Sequence, residues 1–496
     1  MSEGILPFGP GGLAFIGFYL CSLIAVGWIG LKARKENTLK DFYLGGSGVG
    51  FFVLVLTLYA TQYSGNTMLG FSGKAYRIGY SWMTSVHFMM AIVVVFLTYA
   101  PKLHRLAKRY DFITPTDFLN HRFGSRAMNL LASLIMVAAL SNYLLAQLTA
   151  MGRAFQGLTD LDPVKAFAWG VLLLAAIMLL YETLGGFRAV AWTDVIQGSV
   201  LMVGFGILLV LVFAKFGSPQ EAAMRLLADE NSRAKILPPD SLQIRQWLSF
   251  IGILGIGAAL YPHAIQRIYA ARSSIVLRRG LAAMAFMPLG TTLIALLVGV
   301  MGAAYIPGLE GAQADRILTV MLREVQLGSV FGYWLVVVLF SAILAAMMST
   351  ADSALLSISS MVTKDIYLPF MKPEATEAQL TKLGKIFSWL IVAVLAGIAI
   401  KLDGLKTKLT LIELLNMKFD MLVQLGPAFL IGIHWKAMRA GPTFAGMFVG
   451  LVVALSLYPL ATLKNYGVHP GHFGLLANLV IAIGGSLALN RLLPKS

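Results

Sequence analysis

Apolar residues form long, nearly uninterrupted stretches along the whole chain, and short polar or basic segments separate them. Several stretches hold about twenty residues, the length that a helix needs to cross the hydrocarbon core of a bilayer. The pattern therefore predicts an all-α polytopic membrane protein. The thirteen predicted spans cover residues 11–33, 49–73, 80–101, 127–152, 164–184, 189–214, 246–270, 279–304, 329–362, 382–401, 408–435, 441–462 and 471–490.

The composition agrees with a protein that lives in a lipid bilayer. Hydrophobic residues make up 58% of the chain and charged residues only 12%, whereas about 25% charged residues is usual for soluble domains. The net charge of +16 comes from basic residues spread over alternate loops rather than from one block, which argues against nucleic acid as a partner. Placing the N-terminus outside puts most of these residues, Arg267 among them, on the cytoplasmic side. We therefore expect a plasma-membrane (inner-membrane) protein with an outer N-terminus and a cytoplasmic C-terminus.

Two predicted spans are interrupted at similar places. The second contains Ser64-Gly65-Asn66, and the seventh contains Gly252, Gly255, Gly257 and then Pro262. Breaks at corresponding positions of two halves are typical of inverted repeats that bind a solute at broken helices. The alternative is that the glycines only allow helices to pack closely.

The ninth span carries a polar face inside an otherwise apolar segment. Positions 346, 349, 350 and 353 share one face because helix neighbours lie three and four residues apart. Ser349, Thr350 and Ser353 supply hydroxyls, and Asp352 adds a carboxylate, which is costly at membrane depth and therefore indicates function. Such a face offers oxygen ligands to a small hard cation. Hydrogen bonding between helices is the alternative for the hydroxyls alone.

Carbonyl groups of an unwound second span would complete such a site. Freed carbonyls of Ala60 and Tyr63 would join the hydroxyls of Ser349 and Thr350 around a monovalent cation, which must bind weakly enough to be released. Asp194 has two open interpretations: it pairs with Arg188 in a loop, or it reaches Asp352 and Ser353 at a second cation position.

Other polar residues in the spans are candidates for a solute cavity. A lone histidine in a span is more often a packing residue, but Pro262 breaks the helix beside His263. Lys418 either neutralises Glu413 and Asp420 or receives an anionic solute. The candidate solute-binding residues are Gln62, Asn66, Gln147, His263, Gln266, Lys418 and Gln424.

Enzyme signatures are absent from the sequence. No Cys/His pair has the spacing of a zinc site, and neither a phosphate-binding P-loop nor a nucleophile elbow occurs. We therefore expect neither an enzyme nor an ATP-driven pump.

Three motifs resemble those of the sodium/solute symporter family, and the resemblance runs from about residue 10 to residue 490. The sequence around residues 60–80 and the Pro262-His263 pair are most similar to the pantothenate and carboxylate transporters of that family. Proline transporters carry an Asp where this chain has Gln62. The motifs are Ala60-Thr61-Gln62-Tyr63-Ser64-Gly65, Gly185-Gly186-Phe187-Arg188-Ala189-Val190 with Thr193-Asp194-Val195-Ile196-Gln197, and Ala346-Met347-Met348-Ser349-Thr350-Ala351-Asp352-Ser353.

The resemblance implies a LeuT-type fold of five plus five helices within a single transporter domain, 1–496. It implies an extra helix at 11–33, a first repeat at 49–214, a second repeat at 246–435 and two further helices at 441–490. The family's sodium ligands fall on the carbonyls of Ala60, Tyr63 and Ala346 and the hydroxyls of Ser349 and Thr350. A second sodium or proton site falls on Asp194, Ser349, Asp352 and Ser353, although some two-sodium members have a serine in place of Asp352.

We therefore expect sodium-coupled symport of a small organic solute into the cell, with sodium as the coupling ion. A carboxylate or pantothenate-like anion is the expected solute. The alternatives are a proline-type amino-acid or sugar symporter, a proton-coupled carrier, and a membrane sensor that binds the solute without transporting it.

Overall fold

The computed structural model describes residues 8–34, 36, 38–156, 162–404, 411–457 and 466–492. These residues are almost entirely helical, and the β-structure among them is a single parallel bridge between Val49 and Ala271. The α-helices are α1 Pro10–Lys32, α2 Leu39–Leu44, α3 Phe51–Gln62, α4 Gly65–Ile78, α5 Thr84–Tyr110, α6 Thr116–Phe123, α7 Arg126–Gln156, α8 Pro163–Phe216, α9 Pro219–Ala228, α10 Ser241–Ala259, α11 Pro262–Ala270, α12 Ser274–Met284, α13 Met287–Gly290, α14 Thr292–Tyr305, α15 Ile317–Gln326, α16 Val330–Met361, α17 Leu368–Phe370, α18 Glu377–Gly404, α19 Leu411–Leu422, α20 Ala440–Leu457, α21 Pro470–Leu479 and α22 Gly485–Leu492.

Several of these helices are long and apolar enough to cross a bilayer. Within the described ranges nine helices pass that test, or ten when the bent pair α10 and α11 is taken as one span. The expectation of membrane helices is confirmed, whereas the number thirteen stays a prediction. The two counts differ because α3 and α19, with 12 residues each, are short, and because α8, although bent at Gly186, counts as one helix of 54 residues.

Helix α8 is divided by Gly186, which lies between the predicted spans 164–184 and 189–214. A straight helix of 54 residues would be about 80 Å long, more than twice the thickness of a hydrocarbon core. Gly186 has φ 56° and ψ −146°, a conformation that side chains with a Cβ avoid. A Cβ there would lie 2.6 Å from the Phe42 carbonyl oxygen, so only glycine fits.

Both predicted interruptions of the membrane helices are present. The first falls between α3 and α4, where Tyr63 leaves the helical conformation with φ −113° and ψ 79°. Ser64 then caps α4, because its hydroxyl accepts a hydrogen bond of 3.1 Å from the Thr67 amide. The second falls between α10 and α11, which are bent by 50°, and Pro262 begins α11.

Helix α16 lies at the centre of the bundle. It packs against α1, α3, α7, α8, α11 and α18. Every side chain from Leu339 to Met361 is buried, so the polar face of the helix is enclosed by protein rather than by lipid. The fold therefore brings that face to the helix breaks.

Candidate functional site

The end of α3 meets the polar face of α16. The Thr350 hydroxyl oxygen lies 3.2 Å from the Ala60 carbonyl oxygen and 2.9 Å from the Ala346 carbonyl oxygen. All three residues are fully buried. The last carbonyls of a helix have no amide donor one turn further along, and the break after Tyr63 produces such an end within the bundle.

Ser349 stands next to Thr350 and faces the Asp194 carboxylate. Its hydroxyl is fully buried and has no hydrogen-bond partner of good geometry among the described residues. Tyr63 is also buried, and its ring stacks on Tyr59 at a centroid distance of 4.8 Å. The five predicted sodium ligands therefore lie at the end of α3 and on α16, which touch through Thr350. Carbonyl and hydroxyl oxygens are suitable ligands for a small monovalent cation.

Arg267 lies beside the predicted second cation position. Its Nη2 is 3.1 Å from Asp194 Oδ2 and 2.7 Å from the Ser353 hydroxyl oxygen. Its Nε donates to the Thr57 hydroxyl at 2.8 Å, and that hydroxyl donates a short hydrogen bond to Asp194. Arg267 is 2% exposed, so its assignment to the cytoplasmic surface was wrong. The position of Arg267 inside the predicted span 246–270 was the one signal in the sequence that indicated a buried, functional arginine.

One interpretation of Asp194, the pairing with Arg188, was wrong, and the second cation position stays a prediction. Arg188 binds Asp41 through two hydrogen bonds of 2.8 and 2.6 Å, so it is not the partner of Asp194. The guanidinium of Arg267 instead bridges Asp194 and Ser353, donating a hydrogen bond to each. Asp352 accepts a hydrogen bond of 3.3 Å from Ser353.

A second buried group surrounds Lys418 and is called the Lys418 cluster: Lys418, Tyr143, Tyr261, His263 and Phe419. The Lys418 ammonium nitrogen lies 3.2 Å from the centre of the Tyr143 ring and 5.0 Å from the centres of both the Tyr261 and Phe419 rings. The His263 ring stacks on Tyr261 at 4.7 Å and on Tyr143 at 5.9 Å. Tyr261 and His263 flank the break between α10 and α11.

The other predicted cavity residues lie in different surroundings. Gln147 Nε2 is 3.5 Å from the Ser64 hydroxyl at the first break. Gln62 is buried at the end of α3, beside a small apolar cavity lined by Met89 and Phe96. The side chain of Asn66 is outside the described part of the structure.

Two predicted cavity residues hold helices together. Gln266 donates to Ser360 at 2.9 Å and accepts from Ser357 at 2.5 Å, which joins α11 to α16. Gln424 donates to the Gly471 carbonyl at 3.0 Å, which joins it to α21.

Two broken helices that meet around buried polar groups form the architecture of ion-coupled secondary transporters. The match to a family model defines the class further. The chain belongs to the sodium:solute symporter family, whose model matches residues 42–450. It is therefore a sodium-coupled solute transporter of the membrane and not an enzyme, as the motifs predicted.

The relatives and the solved structures agree with this assignment. The chain is 28% identical over 492 residues to the osmoregulated proline transporter OpuE of Bacillus subtilis, covering 96% of this chain and 94% of the relative. It is 28% identical over 484 residues to the sodium/proline symporter of Escherichia coli, covering 94% and 92%.

A substrate-bound, outward-open Na+-coupled sialic acid symporter superposes with a TM-score of 0.80 at 21% identity, covering 98% of each chain. A nucleobase-cation-symport-1 family transporter in a closed conformation gives 0.55 at 16% identity, covering 91% and 95%. These two structures establish the LeuT-type fold.

Proposed function

We propose that this protein uses the sodium gradient to take up a small organic solute that carries a carboxylate. Sodium binds between α3 and α16, to the carbonyls of Ala60, Tyr63 and Ala346 and the hydroxyls of Ser349 and Thr350. The observation that carries this proposal is the 3.2 Å contact between Thr350 and the Ala60 carbonyl at the helix break. That contact makes sodium affinity depend on the conformation of the break.

The same geometry supplies a coupling mechanism. Sodium held between α3 and α16 orders the break at Tyr63 and Ser64, and Gln147, a predicted solute contact, lies 3.5 Å from the Ser64 hydroxyl. Sodium therefore raises the affinity for the solute, and by thermodynamic linkage the solute raises the affinity for sodium by the same factor.

We propose one sodium ion per transport cycle. The Arg267 guanidinium holds Asp194 and Ser353 with hydrogen bonds of 3.1 and 2.7 Å. The positive charge of Arg267 already neutralises Asp194. The predicted second sodium site, formed by Asp194, Ser349, Asp352 and Ser353, is therefore unfavourable for a second cation. The proton-coupled alternative would use Asp352, whose Oδ2 is buried without a hydrogen-bond partner among the described residues.

For the solute, a carboxylate or pantothenate-like anion is the first candidate and proline the second. The buried ammonium of Lys418 favours an anion. The second candidate follows from the names of the relatives, which are proline transporters. In both cases the solute would lie near Gln147, His263 and Lys418, with Gln62, Asn66, Gln266 and Gln424 as the remaining predicted contacts.

The membrane arrangement is part of the same proposal. The repeats span residues 49–214 and 246–435, with the N-terminus outside and the C-terminus in the cytoplasm.

Uptake into proteoliposomes under an imposed sodium gradient tests the proposed function. The radiolabelled panel is pantothenate, lactate, pyruvate, proline, glucose and sialic acid. We expect one carboxylate to accumulate, and collapse of the sodium gradient should abolish that accumulation. Binding of a solute without accumulation or exchange would instead support a sensor, and accumulation driven by a pH gradient alone would support proton coupling.

A further inference from the structure

We infer that the Lys418 ammonium is the group that receives the solute carboxylate, and that the solute is a monocarboxylate without an ammonium group. This inference rests on the proposed function, because it names the substrate class of the same transporter.

Lys418 is a buried cation without a counter-ion in the described part of the structure. It is fully buried, and its ammonium nitrogen makes no hydrogen bond to any described residue. An isolated charge is expensive in a low-dielectric interior unless a partner of opposite charge is present. The three aromatic faces of the Lys418 cluster lower this cost in part through cation–π attraction. An anionic partner would offset the remainder, and a carboxylate is the anion that small organic solutes most often carry.

The position of the cluster is that of a solute site. Tyr261 and His263 flank the second helix break, and Tyr143 lies on α7, the helix from which Gln147 reaches the first break. Both ring nitrogens of His263 are buried without a hydrogen-bond partner among the described residues. The cluster therefore offers an ammonium and an unpaired imidazole to one small molecule.

The neighbouring acidic residues explain why an amino acid is disfavoured. A zwitterion brings an ammonium group that needs its own acceptor. Asp420 is turned towards α21, where it accepts a hydrogen bond of 3.0 Å from the Gly471 amide and lies 3.8 Å from His469. Asp194 is bound to Arg267. Among the described residues no carboxylate forms a salt bridge with Lys418, so a second ammonium there would be repelled by Lys418.

The test compares acids with uncharged analogues on the purified full-length protein in saturating sodium chloride. The probes are L-lactate with L-lactamide, and pantothenate with pantothenol, together with L-proline. Affinity is measured from thermal stabilisation. The variants are Lys418→Gln, the charge-conserving Lys418→Arg and, as a matched control, Lys401→Gln at an exposed lysine near the end of α18.

We expect one acid to stabilise the wild type, while its uncharged analogue and proline do not. Lys418→Gln should lose at least roughly 30-fold in affinity for that acid, since the buried carboxylate would be left without its charged partner. Lys418→Arg should retain the preference for the acid, and Lys401→Gln should match the wild type. The comparison of acid with uncharged analogue needs no variant, so it stands even where Lys418→Gln fails to fold.

Three results would overturn the inference. They are proline or an uncharged analogue binding as tightly as the acid, wild-type affinity in a folded Lys418→Gln protein, and no stabilisation by either acid. Sodium-driven uptake of proline by both the wild type and Lys418→Gln would remove Lys418 from this role and leave sodium symport standing. Absence of sodium-driven uptake for every solute would instead count against the proposed function.

Discussion

Arg267 and Asp194 form an ion pair of 3.1 Å deep inside the bundle, with side chains only 2% and 1% exposed. Thr57 on α3 and Ser353 on α16 complete the group. Four helices, α3, α8, α11 and α16, are therefore joined through one guanidinium. Because α11 follows the second break and α3 precedes the first, the pair connects both interrupted helices.

Replacing Arg267 should destabilise the folded protein strongly. We expect Arg267→Gln to lower the free energy of unfolding by about 3–5 kcal/mol, because the buried Asp194 charge is left without its partner. Asp194→Asn in the same protein should recover part of that loss. Thermal unfolding in detergent measures both effects. The exposed pair Lys215–Glu324, 2.9 Å apart, is the control, and Lys215→Gln should cost about 1 kcal/mol or less. An equal loss of stability in Arg267→Gln and Lys215→Gln would contradict this account.

Removing the Thr350 hydroxyl should weaken sodium activation. Thr350→Val keeps the shape of the side chain and removes an oxygen ligand next to the Ala60 carbonyl. The sodium concentration for half-maximal uptake should rise by roughly tenfold or more, since a polar contact to a charge is worth 1.5–3 kcal/mol. Ser341→Ala is the matched control, because that hydroxyl bonds only within α16, to Val337. Normal sodium activation in a folded Thr350→Val protein would exclude Thr350 as a ligand.

Sodium and solute should each strengthen the binding of the other. We expect exchange of sodium for choline to lower solute affinity, and saturating solute to raise sodium affinity by the same factor. With Arg267 already beside Asp194, sodium activation should have a Hill coefficient of about 1. Calorimetric titrations in both orders measure the two factors. A Hill coefficient near 2 would show that the group around Asp194 takes a second ion.

The break in α8 should depend on glycine at position 186. Gly186→Ala should destabilise the protein by at least ~1–3 kcal/mol through backbone strain alone, and the added Cβ would also meet the Phe42 carbonyl oxygen at 2.6 Å. Gly206→Ala, in the same helix, is the control because its Cβ would meet no atom within 4 Å. Thermal unfolding that is equal for the two variants would contradict the requirement for a broken α8.

Local chemistry in the sequence predicted the helices and their interruptions. The thickness of the bilayer sets the length that an apolar stretch needs to cross it. A helix break is set by the backbone conformations that one or two residues can adopt. Gly186, Ser64 and Pro262 therefore showed where α8, α4 and α11 begin or bend. The face of Ser349 and Thr350 followed from helical spacing in the same way.

Only the tertiary structure decided how distant polar residues pair. Arg267 and Asp194 are 73 residues apart, and no periodicity within either helix indicates which neighbour will supply the partner. For the same reason the sequence did not indicate that Lys418 lies among aromatic rings or that Gln424 faces α21. Helical spacing determines which residues share a face, whereas the packing of one helix against another determines what that face contacts.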